Sequence, residues 1–210
     1  MIKKFEVGPL DANCYVLSCD DTKCAAVVDL GGTSKMVSDY IVSNDLTVHY
    51  LICTHGHYDH IGGIADFKKK YGKEIPVMIH TNDVDMFVHP KKYVPLLGVL
   101  IPGNIPPDKE LYDGEAIKIG NMEIKVIHTP GHTPGGVSLY DKNGGYVLTG
   151  DTLFHEGVGR TDLAYGSFED LKCSIEKKLF VLPDETVVYP GHGSHSTIGH
   201  EKQHNPYVGE

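Results

Sequence analysis

The stretch "THGHYDHIGG", residues 54–63, constrains the fold more than any other part of the sequence. It directly follows the apolar run "YLIC" and places His55, His57, Asp59 and His60 within one short segment. Imidazole and carboxylate groups are the ligands that suit zinc, iron and manganese. Side chains of an extended loop alternate, so His55 and His57 point to the same side. Asp59 and His60 fall at the start of a helix predicted over "IGGIADFKKKYG", so the two pairs should face two nearby points.

Three other predicted strands end in a residue of the same type. "IKVIHTPG" runs into His132, "YVLTG" into Asp151 and "TVVYPG" into His192. A Gly or Pro beside each ligand-type residue breaks the strand, so that a loop can present the side chain. A single histidine is more simply read as a surface or core residue, but the joint pattern predicts one shared metal site.

Histidines outside this pattern read as surface or packing residues. His128, four residues before His132, could either support a ligand or pack in the core. The others are His49, His80, His89, His155, His195, His200 and His204.

The order of predicted elements indicates an α+β fold. Strands followed by a helix occur twice along the chain, which predicts two packed sheets with helices outside them. The segment "VSLYDKNGGYVLTG" predicts a hairpin with a tight Asn-Gly turn. No repeat or Ser/Gly-rich linker divides the sequence. Residues 1–210 are therefore predicted to form a single domain.

Charge and composition narrow the classes of partner. The chain carries 19 Lys and Arg against 28 Asp and Glu, a net charge of −9, which opposes binding to a nucleic-acid backbone. No apolar window approaches the length of a signal peptide core or a membrane span. These features predict a cytoplasmic protein that acts on a small-molecule substrate without membrane or nucleic acid, and they leave oligomerisation open. The five cysteines follow no zinc-finger spacing and read as reduced thiols.

Seven motifs, in order and at fitting distances, resemble the metallo-β-lactamase superfamily. They are "GPLDANCYVL", "VVDLGG", "THGHYDHIGG", "TPGHTPGG", "TGDTLF", "GVGRTDL" and "YPGHG". The resemblance implies an αββα sandwich with its site at one sheet edge. It also implies that the first metal is held by His55, His57 and His132, the second by Asp59, His60 and His192, and that Asp151 bridges both. Asp29 in "VVDLGG" would either support the histidine-rich loop or cap its strand.

Within this superfamily, "GDTLF…GRTD" resembles the glyoxalase II-like branch, the hydroxyacylglutathione hydrolases and their short relatives, together with the persulfide dioxygenases. Full glyoxalase II enzymes add a helical C-terminal domain that helps to hold glutathione. This sequence ends at "HEKQHNPYVGE" and resembles the short form without that domain. Recognition of glutathione is therefore an open question at this point.

The resemblance implies a hydrolase with two divalent metal ions, zinc being expected and iron or manganese being alternatives. A hydroxide bridging the metals would attack the substrate, and Asp59 would orient it or accept its proton. A thiol leaving group has a pKa of about 8.5 and needs no general acid, which favours a thioester such as a hydroxyacylglutathione. Two alternatives stay open. One is a mononuclear iron persulfide dioxygenase using His55, His57 or His132, and Asp151, and the other is a non-catalytic metal-binding protein.

Two further features could shape substrate binding. Arg160 in "GVGRTDL" could grip a substrate carboxylate, or it could pair locally with Asp162 or Asp170. The proline-rich apolar segment 89–114 could cover an acyl group, or it could pack on the sheets or on a second subunit.

Overall fold

A computed structural model describes residues 1–90 and 106–209, which include two six-stranded sheets. In the first sheet, β1 to β3 pair antiparallel and β3 to β6 pair parallel, in chain order. Its strands are β1 (Ile2–Val7), β2 (Ala12–Ser18), β3 (Cys24–Val28), β4 (Thr47–Ile52), β5 (Val77–His80) and β6 (Lys109–Leu111).

The second sheet has the order β14-β13-β10-β9-β8-β7, and β10 and β13 form its parallel pair. A separate two-stranded hairpin, β11–β12, follows β10. The strands are β7 (Ala116–Ile119), β8 (Met122–His128), β9 (Val137–Asp141), β10 (Tyr146–Gly150), β11 (Leu153–Phe154), β12 (Gly157–Val158), β13 (Val187–Pro190) and β14 (Ser196–Thr197).

Short helices flank the sheets, and three of them begin at a capping hydroxyl. Ser34, Ser167 and Thr197 each accept a hydrogen bond from a backbone N–H of the first helical turn. The helices are α1 (Lys35–Ser43), α2 (Tyr58–Ile61), α3 (Ile64–Tyr71), α4 (Val84–Val88), α5 (Phe168–Ser174) and α6 (Ile198–His204). A 3₁₀ turn, Thr81–Asp83, precedes α4, and a π-helix, Ile175–Leu179, continues α5.

The packing forms four layers and confirms the predicted αββα sandwich. Between the sheets, Leu17 and Ile52 of the first sheet pack with Leu139 and Leu148 of the second. The outer face of the first sheet is covered by apolar residues of α1 and α3, including Val37, Ile41, Ile64 and Phe67. The outer face of the second is covered by Leu171, Ile175, Leu179 and Ile198. Successive side chains of a strand point to opposite faces of its sheet, so each sheet contributes to two apolar layers.

The two sheets are also joined by hydrogen bonds at the edge that carries the histidine-rich loop. Asn13 of β2 donates through Nδ2 to the carbonyls of Pro190 and Gly193, at 2.9 Å each. The Tyr15 hydroxyl donates to Pro190 O at 2.6 Å. These bonds fix the end of β13 and the loop after it against the first sheet.

The prediction of one helix over "IGGIADFKKKYG" was wrong. The chain forms α2 and α3 instead, separated at Gly62 and Gly63. A Cβ at Gly62 would lie 2.5 Å from Gly31 O, and one at Gly63 would lie 2.4 Å from Gly32 O. The break therefore allows backbone-to-backbone contact with the turn after β3.

The predicted β9–β10 hairpin is present, but the prediction of a tight Asn-Gly turn was wrong. Asp141 pairs with Tyr146, so residues 142–145 form the loop, and the positive φ of +68° belongs to Gly145. Asp141 Oδ1 accepts the Gly144 N–H at 2.7 Å, which favours this longer turn.

Much of the apolar segment predicted over 89–114 lies outside the described residues. Its residues 91–105, including Val94, Leu96, Leu97, Val99, Leu100 and Ile101, belong to that part. Within residues 1–90 and 106–209, none of the helices has both the length and the apolar character needed to cross a membrane.

Candidate metal centre

All seven side chains predicted as metal ligands meet at one edge of the sandwich. Each follows the end of a strand: β4 in the first sheet, and β8, β10 or β13 in the second. Both sheets therefore contribute to one cluster. Its members are His55, His57, Asp59, His60, His132, Asp151 and His192.

One group within the cluster consists of His55, His57 and His132, all of them buried. His57 Nδ1 lies 2.9 Å from His132 Nε2. His55 Nε2 is buried and has no hydrogen-bond partner among the described residues. His132 Nδ1 donates to the Arg160 carbonyl at 2.7 Å, which leaves Nε2 available to the cluster. Three imidazole nitrogens thus converge on one point.

The other group consists of Asp59, His60 and His192. His192 Nε2 lies 3.3 Å from both His60 Nε2 and Asp59 Oδ2. His60 Nδ1 lies 3.1 Å from Asp29 Oδ2, which orients the ring so that Nε2 faces the cluster. This group offers two imidazole nitrogens and one carboxylate oxygen.

Asp151 lies between the two groups. Its Oδ1 is 3.4 Å from His60 Nε2, and its Oδ2 is 3.5 Å from His132 Nε2. Oδ1 is buried without a hydrogen-bond partner in the described structure, although a buried carboxylate oxygen normally has one. The orphaned atoms of His55 and Asp151 and the imidazole and carboxylate donor set fit divalent metal ions, which would satisfy both groups at once.

Burial and neighbouring charges set the protonation of these groups. Burial, together with the surrounding histidines, lowers the pKa of His55 well below its usual value and that of His57 to about 3. Burial would raise the pKa of Asp59, but the hydrogen bond from His192 and the charge of His60, with smaller contributions, together outweigh burial and lower that pKa, so the carboxyl is ionised. Burial likewise opposes charge on His60, yet Asp151 and Asp29 raise its pKa to about 10. His55 and His57 are therefore neutral, whereas the carboxylates around His60 favour its protonated form, as they would favour any positive charge in the cluster.

Asp29 supports the histidine-rich loop directly. It adopts a φ of +55° after β3, and its Oδ1 accepts the Thr54 N–H at 2.7 Å. Its Oδ2 accepts the Thr54 hydroxyl at 2.7 Å and contacts His60. One carboxylate thus fixes both ends of the loop, in agreement with the supporting role among the two predicted for it.

Asp83 also supports the centre, although the sequence alone did not predict this role. Its Oδ2 accepts the Gly56 N–H at 2.9 Å and the Thr133 hydroxyl at 2.7 Å. Its Oδ1 accepts the Gly135 N–H at 2.6 Å. The residue thus joins the loop after β4 to the loop after β8. The signal in the sequence was an aspartate before α4, which resembles an ordinary helix cap.

Other histidines have different surroundings. The His128 ring stacks on His80, and its Nε2 donates to Pro134 O at 2.9 Å, so it packs beneath the ligand loop. His155 and His200 lie at the surface, which is one of the two predicted settings, and they form a separate group with Glu156.

An open cavity of about 540 Å³ lies over the cluster. Its remaining walls are Leu10, Tyr58, Phe154, Val158, Arg160 and Leu163. The Arg160 side chain is exposed and pairs with Asp162 through Nε at 2.7 Å and Nη2 at 2.8 Å. The local pairing is therefore the one observed, while the Arg160 carbonyl holds His132.

The family model of the metallo-beta-lactamase superfamily matches residues 7–192, which include all seven side chains of the cluster. The chain belongs to the metallo-β-lactamase superfamily. Metallo-β-lactamase folds bind divalent metal ions, and this cluster has the donors that such ions require.

Within this superfamily, the relatives match the chain over nearly its full length. It is 36% identical over 207 residues to the probable metallo-hydrolase YqgX of Bacillus subtilis, covering 98% of this chain and 96% of that protein. It is 35% identical over 209 residues to hydroxyacylglutathione hydrolase GloC of Haemophilus influenzae, covering 97% of each. These names support a metallo-hydrolase, and the glyoxalase II-like branch is weakly suggested by the second.

Solved structures of metallo-β-lactamase folds superpose closely on the chain. BLEG-1 B3 metallo-beta-lactamase has a TM-score of 0.89 at 36% identity, covering 99% of both chains. TTHA1623 in a di-iron-bound form has a TM-score of 0.88 at 31% identity, covering 98% of this chain and 99% of that one. ETHE1 from Myxococcus xanthus has a TM-score of 0.78 at 27% identity, covering 98% and 83%. These similar proteins have different names at comparable sequence identity, so their names do not decide the specific activity of this chain. That activity has to be argued from the site.

Proposed function

We propose that this protein is a metal-dependent hydrolase that cleaves thioesters, with a hydroxyacylglutathione as the expected substrate. The observation that carries the proposal is the position of Asp151 between two ligand groups beneath an open cavity. That arrangement suits two ions side by side, facing a substrate that enters from the cavity.

In this proposal each group would hold one divalent ion, and Asp151 would serve both. His55, His57 and His132 would hold the first ion, while Asp59, His60 and His192 would hold the second. When bound, such ions lower the pKa of a water molecule to about 7 and polarise a substrate carbonyl. Zinc is the expected metal, with iron and manganese as alternatives, and the di-iron form of TTHA1623 supports testing iron.

Asp59 orients the attacking water. Its carboxylate lines the cavity, remains slightly exposed and is kept ionised by His192 and His60 together. An ionised carboxylate accepts a hydrogen bond from water and so directs its lone pair towards the substrate. A strongly lowered pKa favours this orienting role over net proton uptake.

The cavity walls suit an acyl-thiol. Leu10, Phe154, Val158 and Leu163 provide an apolar surface for an acyl group beside the cluster. The Tyr58 hydroxyl is buried, so it offers no accessible acid to a leaving amine. A thiol with a pKa of about 8.5 departs as thiolate without such an acid. These features favour a thioester over an amide.

The assignment of glutathione as the thiol rests on two observations. GloC has nearly the same length as this chain and is named as a hydroxyacylglutathione hydrolase, so a further helical domain is no requirement for that substrate. Arg160 lines the cavity, and its guanidinium is paired with the exposed Asp162. A glutathione carboxylate would bind the guanidinium in place of Asp162.

A mononuclear iron persulfide dioxygenase is the second candidate. Two histidines and one carboxylate form the ligand set of many non-heme iron oxygenases, and it would be supplied by His55, His57 or His132, and Asp151. A metal-binding protein without catalysis is the third.

Metal content and a substrate panel separate the three. We expect about two ions per chain and turnover of S-D-lactoylglutathione with release of thiol. One iron per chain with oxygen consumption on glutathione persulfide would establish the dioxygenase instead. Cleavage of a β-lactam alone would overturn the thioester assignment. A metal-loaded protein that is inert on thioester, lactam, phosphodiester and persulfide would establish the third candidate.

A further inference from the structure

A second cluster of ligand-type side chains lies on the surface, apart from the seven residues of the centre. His155 and Glu156 form the turn between β11 and β12, and His200 lies in α6. Each offers one ligand atom, and the three atoms lie within 4.8 Å of one another. The proposed hydrolase chemistry uses none of these residues.

The distances in this surface cluster are close to those of a metal site. Glu156 Oε1 lies 3.0 Å from His200 Nε2 and 3.9 Å from His155 Nε2. Metal–ligand bonds of 2.0 to 2.2 Å in tetrahedral geometry place neighbouring ligand atoms about 3.3 to 3.6 Å apart. The two distances from Glu156 Oε1 therefore lie within about 0.3 Å of that range, and all three ligand atoms lie within 4.8 Å of one another.

A buried carboxylate holds the two halves of this cluster together. Glu201 of α6 is fully buried, and its Oε2 accepts the Glu156 backbone N–H at 2.9 Å. Asn205 donates both to Glu201 Oε2 at 2.8 Å and to Gly157 O at 3.0 Å. Glu156 itself adopts a φ of +52°, which Glu201 helps to maintain. The ligand backbone is therefore positioned before any ion arrives.

The cluster is open on its solvent side. The side chains of His155, Glu156 and His200 are between one third and one half exposed, so an ion could keep water ligands. The His155 and His200 rings stack with centroids 5.1 Å apart. An exposed His–Glu pair by itself contributes little to stability, so these contacts alone give no strong reason for the arrangement.

We propose that His155, Glu156 and His200 bind a third divalent transition-metal ion. Two imidazoles and one carboxylate with an open position form a donor set that zinc takes in proteins, and copper and nickel also prefer imidazole. The ion would link α6 to the β11–β12 hairpin, which carries the cavity-lining residues Phe154 and Val158. The site would thus tie one wall of the cavity to the C-terminal helix.

The test uses the full chain with its centre already loaded and excess metal removed. Zinc is added, and binding is followed by calorimetry and by elemental analysis after equilibrium dialysis. We expect wild-type protein to take up one further equivalent of zinc. His200→Ala and, independently, Glu156→Gln should weaken that uptake by at least about tenfold, because loss of a supporting partner alone costs metal sites that much.

Both variants should keep the ions of the centre and their turnover, and both should lose the zinc-dependent rise in melting temperature. His195→Ala, a change at an exposed histidine outside the cluster, is the matched control and should bind like wild type. No additional zinc in wild-type protein, or equal additional zinc in wild type and both cluster variants, would overturn the proposal.

Discussion

At the scale of single residues, Asp151 is the side chain that joins the two halves of the candidate centre. Its two oxygens face His60 and His132, which belong to different ligand groups. A carboxylate can serve two cations at once because it has two anionic oxygens, whereas an amide is neutral. The residue therefore tests the arrangement more directly than any single histidine.

Asp151→Asn should reduce metal content below two ions per chain and lower kcat/KM on a thioester by more than about 100-fold, since even outer partners of metal ligands contribute about 10–100-fold. The fold should persist because Asp151 follows a strand rather than filling the core. Elemental analysis, circular dichroism and turnover measure the three quantities. Full occupancy of both sites in this variant would argue against the bridging position.

Arg160 has an exposed side chain paired with Asp162 and a carbonyl bonded to His132. Arg160→Ala keeps the carbonyl, so the variant isolates the guanidinium. If that group binds a substrate carboxylate, KM for an acylglutathione should rise by about 10- to 100-fold, corresponding to about 1.5–3 kcal/mol. KM for an uncharged thioester should change little. Equal losses on both substrates with a lower melting temperature would assign Arg160 to scaffolding.

Some residues of the candidate centre could be predicted from the sequence, and others could not. The clustering of the seven side chains could be predicted because imidazoles and carboxylates follow apolar strands beside Gly or Pro. Asp83 could not, because two of its partners are backbone amides, 27 and 52 residues away, which have no signature in the sequence. The proximity of His155 to His200 could not be predicted for a similar reason, since α6 and the hairpin become neighbours only in the fold.

At the scale of elements, α4 supports the two ligand loops through the residue that precedes it. Asp83 occupies the cap position of α4, yet its carboxylate bonds to Gly56, Thr133 and Gly135 instead of the helix. The element therefore positions two loops that come from different sheets.

Asp83→Ala should lower the free energy of unfolding by about 3 kcal/mol, because three buried donors lose a charged acceptor. Activity should fall as well, since the loops carrying His57 and His132 lose their connection. Urea denaturation measures the first effect. Asp20→Ala, a change at an exposed aspartate away from the centre, should shift stability by no more than about 0.5 kcal/mol. Equal effects of the two variants would contradict the assignment.

Element boundaries differed from the sequence predictions where distant backbone segments meet. Periodicity predicted one helix, but Gly62 and Gly63 contact the turn at Gly31 and Gly32, so α2 and α3 separate. This contact between distant segments outweighs the local helical periodicity, and the periodicity itself does not indicate the contact.

At the scale of the whole molecule, stability should depend on pH through His80. Burial and the neighbouring His128 lower the pKa of His80 from 6.5 to about 4. Between these values the unfolded chain binds more protons than the folded one, so stability should fall as the pH decreases from 6.5 to 4. The contribution is up to about 3 kcal/mol.

Unfolding of wild type and His80→Gln would be compared across this range. The variant should show a shallower decline, and the difference between the two curves removes the contribution of the metal ligands common to both. His49→Gln, at an exposed position, should follow the wild-type slope. A His80→Gln curve parallel to wild type would contradict the prediction.

The candidate centre takes His55, His57, Asp59 and His60 from the end of one sheet and its other three members from the opposite sheet. Sliding of one sheet over the other would change distances across the centre directly, although an apolar interface could tolerate it. Displacement of about 1 Å can cost about 100-fold in rate. Conservative substitutions in the layer between the sheets should therefore change turnover more strongly than melting temperature. The rate of turnover would then report how the two sheets are aligned.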